Sequence, residues 1–242
     1  MFGAFLNALG ILLGAVFGLA QSSPLSLRTQ ELLHRGIGAA TAAFGLRLIW
    51  LGVNGTFSSC VKQIIIGILA MMIGNWIGKF LRLQKFSNRL GRFAGNLIKL
   101  AQSKSTMSRP DNDGIIAATI LYCAAPLGLI GAAVDGLAGD YSLLAVKAVM
   151  DGAAMSGFVK MFRWPAALSA FPVYAFLGAL TLACQFYVKL FLDAHGLTDS
   201  VIVAAGYLAS AVALVILEVR RVELANFLPA LVLAPLLTQL FG

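Results

Sequence analysis

Long apolar runs follow one another along almost the whole chain, and this pattern constrains the fold more than any other feature. A bilayer span needs about 20 mostly apolar residues to cross roughly 30 Å of hydrocarbon. Eight stretches fit this requirement: Gly3–Ala20, Glu31–Leu51, Val61–Leu81, Gly114–Val134, Tyr141–Phe162, Pro165–Leu192, Ser200–Glu218 and Val222–Phe241. The last contains Pro229 and Pro235, so it is either a span or a broken, re-entrant segment. We therefore expect an all-α integral membrane protein, a polytopic bundle of seven or eight transmembrane helices.

Composition excludes the soluble alternative. Only 12% of the residues are charged and 60% are hydrophobic, whereas soluble domains carry about 25% charged residues. A soluble fold of this size would need a polar surface that these residues do not supply.

The basic residues are concentrated in one short loop, which predicts the orientation. Loops rich in lysine and arginine face the cytoplasm, and this one holds Lys79, Arg82, Lys85, Arg89, Arg92, Lys99, Lys104 and Arg109. We therefore place loop 79–113 in the cytoplasm and both termini outside. Arg47, near the outer end of the second span, is the exception.

The same loop carries an amphipathic pattern. Five basic residues recur at helical spacing opposite an apolar face: Arg82, Lys85, Arg89, Arg92 and Lys99. Such a helix suits the membrane surface and anionic lipid headgroups rather than nucleic acid. It acts either in lipid sensing or partner docking, or only as a topological anchor. The chain thus divides into an N-terminal three-helix unit (1–83), this helix with a polar linker (84–113), and a C-terminal transmembrane unit (114–242).

Faint internal similarity indicates an inverted repeat of three helices. Residues 14–20 (GAVFGLA) resemble residues 131–138 (GAAVDGLA). A three-span unit followed by its copy runs upside down, which is the architecture of many secondary transporters. Glycine and alanine recur by chance in such a chain, so duplication and coincidence both stay open.

The centre of the chain resembles a known family. The matching residues are Cys123, Pro126, Gly131, Asp135-Gly136, Gly139-Asp140, Leu144, Lys147 and Asp151-Gly152, with further matches near both ends. They are similar to the core motif of a bacterial membrane family catalogued as domain of unknown function 554. The resemblance implies a multipass protein of the bacterial inner membrane. Two positions depart from the family pattern: Lys79 replaces an acidic residue and Leu177 replaces a glutamine.

Asp151 is the most informative single residue. It lies near the middle of the fifth span, and Lys147 precedes it by four positions on the same helical face. A charge at the bilayer centre costs roughly 2.5–3.5 kcal/mol on insertion scales, and pairing offsets part of that cost. The pair is therefore either an ion- or proton-coupled site or a structural ion pair.

Five other polar or helix-breaking residues are weaker candidates for an ion or substrate site. Asp135 and Asp140 flank a glycine-rich turn, where they either attract cations to an entrance or stabilise the turn and cap a helix. Pro126 frees a backbone carbonyl that either binds a cation or marks a packing kink. Asn7 and Asn226 either bind a ligand or hydrogen-bond a neighbouring helix.

No enzyme motif accompanies these residues. His34 and His195 have no metal-spaced partners, and nucleophile-elbow and Walker-type motifs are absent, so we expect no catalysis, metal or cofactor. The leading hypothesis is a channel or secondary transporter for a small ion or solute, active as a homo-oligomer. The alternative is a non-transporting scaffold or sensor that acts through its basic helix. A polar cavity reaching Asp151 would favour transport, whereas a dry, packed pair would favour the scaffold.

Overall fold

The computed structural model describes residues 1–21, 26–103 and 111–241, and the described chain is helical throughout. Most of the polar linker expected after Lys99 lies outside the described residues. The helices are α1 (Phe2–Ala20), α2 (Leu27–Gly52), α3 (Phe57–Phe80), α4 (Leu83–Ser103), α5 (Asp111–Ala124), α6 (Pro126–Ala138), α7 (Ser142–Phe162), α8 (Ala170–Ala183), α9 (Lys189–Ala194), α10 (Thr198–Ile216) and α11 (Ala230–Phe241). The all-α polytopic bundle expected from the sequence is confirmed.

Within the described ranges, six helical segments are long and apolar enough to cross a membrane, and a seventh counts if a bent pair forms one span. The α2 helix is not among them, although the sequence predicted a span at Glu31–Leu51. Its first turns carry Arg28, Glu31, His34 and Arg35, which lower its mean hydropathy. An eighth span would therefore have to be this more polar helix.

The bent pair is the predicted fourth span, which the chain breaks in two. Segments Asn112–Ala124 and Pro126–Ala138 meet at an angle of 61°. Pro126 has no N–H to donate and its ring obstructs the preceding turn, so it begins α6 instead of continuing α5. Ala125 before it is extended, as a residue before proline prefers. The predicted fourth span, Gly114–Val134, is therefore interrupted at the proline that the sequence marked as a possible kink.

Two other spans contain irregular turns. The sixth runs from Trp164 to Ala194 and includes a 3₁₀ start, Trp164–Ser169, and a π-helical turn, Cys184–Val188. The last begins as a short 3₁₀ helix, Leu224–Phe227, before α11. This agrees with the broken segment that its prolines indicated.

Glycines bring the long helices into backbone contact. A Cβ at Gly14 of α1 would lie 2.0 Å from the carbonyl oxygen of Gly152 on α7. A Cβ at Gly206 of α10 would lie 2.7 Å from the carbonyl oxygen of Gly45 on α2, and α3 meets α11 in the same way at Gly74. Small residues permit this close approach in membranes, so glycines pack these helices against one another within one chain.

The contacts also give the relative directions of the helices. α1 and α7 run parallel, because Gly3 meets Leu144 and Gly18 meets Ser156. α2 and α10 run antiparallel, with Gly52 against Asp199. Both relations agree with the alternation of spans expected from the sequence.

Candidate functional site

The centre of the candidate site is the ion pair on α7. Lys147 Nζ lies 2.5 Å from Asp151 Oδ2, and the two residues are 0% and 2% exposed. Four residues make slightly more than one helical turn, so the lysine stem lies along the helix and delivers its ammonium to the carboxylate. The pair is therefore complete within a single helix.

Asn7 brings α1 into the site. Its Nδ2 donates to the same Asp151 Oδ2 over 3.1 Å, while its Oδ1 is buried and has no hydrogen-bond partner. The contact joins residues 144 positions apart, and Gly10 and Gly14 allow it because they hold α1 against α7. One carboxylate oxygen thus receives both donors, and an amide oxygen is left unsatisfied beside a buried charge.

The broken fourth span closes the other side of the pair. The ring centroid of Tyr122 on α5 lies 5.8 Å from Lys147 Nζ, within the range of a cation–π contact, and its buried hydroxyl has no partner. On α6, a Cβ at Gly128 would lie 2.7 Å from Lys147 Cε and 3.3 Å from a methyl group of Leu177. Gly128 therefore makes room for the lysine stem, and the apolar Leu177 stands where the family resemblance leads us to expect glutamine.

The pair is shielded from solvent, since both side chains are almost completely inaccessible. A pair this deeply buried does not lie on an open transport path in this conformation. Buried hydroxyls without partners also occur at Thr119, Ser169 and Thr181. Native interiors hold few such atoms, and each calls for an explanation such as a water or an ion.

Asp135 and Asp140 lie at the far end of α6 and are both engaged. Asp135 is buried and accepts from the backbone N–H of Gly3 over 3.3 Å, with the amino group of Met1 at 3.2 Å. It therefore fixes the start of α1, where a carboxylate stabilises the N-terminal end of a helix.

Asp140 forms an ion pair with Arg47 on α2 and accepts from the N–H of Ser142 over 2.9 Å. Burial acts to raise the pKa of Asp140, but the hydrogen bonds from Ser142 and the charge of Arg47 outweigh it and lower the pKa below its usual value. The pairing also gives Arg47, a base on the side assigned as outer, an acidic partner.

The remaining sequence candidates lie away from the pair. Asn226 is buried, but its Oδ1 accepts from the N–H of Gln84 and its Nδ2 donates to Glu223, so it joins the start of α4 to the last span. Pro126 is two positions from Gly128 and contacts an apolar groove next to α4. The structure thus brings together Asn7, Lys147 and Asp151, and places Asp135, Asp140 and Asn226 elsewhere.

The basic amphipathic helix exists as α4, with one correction. Lys85, Arg89, Arg92 and Lys99 are exposed on it, whereas Arg82 lies in the turn before it with φ at +56°. A left-handed residue cannot continue the helix, so the chain changes direction there.

Sequence reasoning missed Tyr122, Gly128 and the partnership of Arg47 with Asp140. None belongs to a motif, although an unexplained arginine on the outer side was a signal that an acidic partner must exist. Within the described ranges, no group of three His, Cys, Asp or Glu side chains is arranged to hold a metal ion.

Comparisons with known proteins agree with this description. The chain is 24% identical to "Uncharacterized membrane protein YdfK" of Bacillus subtilis (strain 168), over 97% of this chain and 94% of the relative. It is 28% identical to "Uncharacterized protein YqgA" of Escherichia coli (strain K12), over 96% and 94%. No solved structure matches. The family described as "Protein of unknown function (DUF554)" matches residues 2–239, and this multipass membrane protein therefore belongs to the DUF554 family.

Proposed function

We propose that the protein is a secondary transporter or channel for a small ion or solute, and that Lys147 and Asp151 are the charged centre of its path. The observation that carries the proposal is a complete ion pair buried in the middle of an apolar span. Replacing a buried ion pair by well-packed apolar residues is often neutral or stabilising. The stability of the fold therefore gives little reason for these two charges to be present.

The surroundings of the pair support a binding role. Asn7 Oδ1 and the Tyr122 hydroxyl flank it and have no protein partner. A proton or small cation that displaces Lys147 from Asp151 would find a carboxylate and an amide oxygen already in place, ligands suited to hard cations. In this proposal the structure represents the occluded state, in which Lys147 occupies that position.

The broken fourth span supplies a moving part. Because the backbone is already interrupted at Ala125–Pro126, α6 can tilt without breaking further helical hydrogen bonds. Gly128 is on α6 and contacts the Lys147 stem, so such a tilt would open the site. Discontinuous helices next to a charged site are typical of secondary transporters.

The proposal includes a setting in the bacterial inner membrane, with α4 in the cytoplasm and both termini outside. It also includes assembly as a homo-oligomer, without catalysis, cofactor or nucleic acid. The distribution of basic residues supports the orientation, and Arg47, which departs from that distribution, forms an ion pair with Asp140.

A second candidate function is a non-transporting scaffold or sensor that acts through α4. The specific observation in its favour is the burial of the Lys147–Asp151 pair, whose residues are 0% and 2% exposed. In that case the pair only fixes α1 and α7 to each other.

The deciding experiment is ion flux into proteoliposomes that contain the purified protein, for the wild type and the Asp151→Asn variant. Asp140→Asn is the matched control, since it removes the same charge outside the bundle centre. We expect flux that Asp151→Asn abolishes and Asp140→Asn retains. Flux unchanged by Asp151→Asn would mean that the transport path does not include this residue. No flux across a panel of ions and small solutes would leave the scaffold or sensor as the remaining candidate function.

A further inference from the structure

The exposed face of α4 carries positive charge without an internal counter-ion. Lys85, Arg89, Arg92 and Lys99 line one shallow groove along the helix, and α4 contains no acidic residue. In the part of the chain that the structure describes, no carboxylate lies within ion-pair distance of any of them. Among the described residues, these four bases are therefore left exposed without an acidic partner.

The flank of the same helix indicates what supplies the counter-charge. Phe86, Phe93 and Leu100 follow one another at seven-residue intervals beside the basic face, and all three are about half exposed or more. Positive side chains avoid the hydrocarbon, so the basic face marks the headgroup level and this apolar flank enters the bilayer below it. An acidic soluble partner would not account for the exposed aromatic flank, whereas an anionic membrane accounts for both faces.

A second groove begins at this flank and runs into the protein. It has a volume of about 340 Å³ and is almost entirely apolar. Leu83, Phe86 and Leu90 line it from α4, and Cys123, Pro126 and Leu129 line it at the break between α5 and α6. Phe86 thus belongs both to the flank in contact with lipid and to the wall of the groove.

The geometry points to a binding site for one anionic phospholipid of the leaflet next to α4. Its phosphate binds Lys85 and Arg89, the bases adjacent to Phe86, and one acyl chain passes Phe86 and ends against Pro126. The occupied groove ties α4 to the bend of the fourth span, so anionic lipid sets how freely α6 tilts. The site rests on α4 and the groove, and stands whether or not the protein transports.

The test uses the full chain in phosphatidylcholine vesicles that contain phosphatidylglycerol with a photoreactive group on its acyl chain. Cross-links mapped by mass spectrometry should concentrate on Cys123, Pro126 and Leu129. The double variant Lys85→Gln/Arg89→Gln should lower this labelling about thirtyfold, since each basic residue near the surface contributes about 1 kcal/mol. The matched control, Arg92→Gln/Lys99→Gln, removes the same charge from the far end of the face. It should lower the groove labelling much less.

A second variant separates the site from general charge attraction. Cys123→Phe fills the groove and leaves every base in place, so groove labelling should fall while labelling at Phe93 and Leu100, which lie outside the groove lining, persists. The proposal is overturned if a phosphatidylcholine probe labels the groove equally, if both double variants lose labelling to the same extent, or if Cys123→Phe changes nothing. Displacement of the probe by inorganic phosphate would also overturn it, because the site would then bind a free anion.

Discussion

Two helix pairs in this molecule pack through the same kind of glycine contact but differ in the residues that they bury. Gly14 meets Gly152 where α1 contacts α7, and Gly45 meets Gly206 where α2 contacts α10. The middle of α10 buries only apolar and small residues, namely Val201, Ile202, Val203, Ala204, Ala205, Leu208 and Ala209. The middle of α7 buries Lys147 and Asp151.

The difference separates packing from function. Helices in a bilayer associate through small residues and close backbone contact, and the α2–α10 pair does so with no charge at its centre. The charges of the α1–α7 pair are therefore not needed for the two helices to meet. Substitutions in the two helix pairs should therefore differ in their effects on stability and on flux.

The largest effect should follow from unpairing the charges. Asp151→Leu leaves Lys147 buried without a counter-charge, and we expect it to lower the free energy of unfolding in detergent by about 3–5 kcal/mol. The double variant Lys147→Met/Asp151→Leu should recover most of that loss, because its interior then resembles that of α10, yet it should show no flux. A double variant as unstable as the single one would mean that the pair is structural.

Adding one methyl group at the glycine contacts should destabilise the two helix pairs to different extents. Gly14→Ala places its Cβ 2.0 Å from a backbone oxygen, against 2.7 Å for Gly206→Ala. Both should be destabilising by about 1–3 kcal/mol, the first more than the second. Gly157→Ala on α7 is the control, since its Cβ would have no neighbour within 4 Å. Thermal unfolding of the three variants checks the order.

Removing a buried polar side chain should cost little stability in either pair but should affect flux in only one. Asn7→Leu removes the hydrogen bond to Asp151, and Thr41→Val removes one to the carbonyl of Ile37 on α2. Hydrogen bonds between membrane helices average about 0.6 kcal/mol, and the Thr41 bond lies within α2 and joins no second helix, so both variants should remain folded. Flux should fall for Asn7→Leu alone, and equal flux in both would exclude Asn7 from the path.

The smallest effect concerns the ion pair that links the two halves. Because the pKa of Asp140 is lowered from 3.8 in the folded state, its contribution is complete above that value and is lost as pH falls through the folded pKa. Arg47 is half exposed, so the contribution should be about 0.2–1 kcal/mol and should fall with salt. Between neutral pH and about pH 3, the free energy of unfolding should fall less for Asp140→Asn than for the wild type. An equal loss would assign the acid sensitivity to other groups.

Much of this architecture could be predicted from the sequence because it depends on local periodicity. Apolar run length predicted the spans, helical spacing predicted the face of α4, and four-residue spacing predicted that Lys147 and Asp151 pair. The bend at Pro126 was in the sequence as well, since proline interrupts a helix wherever it falls. Its angle was not, because the angle depends on the packing around α6.

The partners of the polar residues were decided only by the tertiary structure. Asn7 and Asn226 look equivalent in the sequence, yet one contacts Asp151 and the other joins Gln84 to Glu223. Contacts between residues more than a hundred positions apart depend on which helices become neighbours, and no local pattern encodes that. Local spacing thus predicted a charge pair inside a helical membrane protein. Packing between distant helices placed α1, α5 and α6 around this pair and shielded it from solvent.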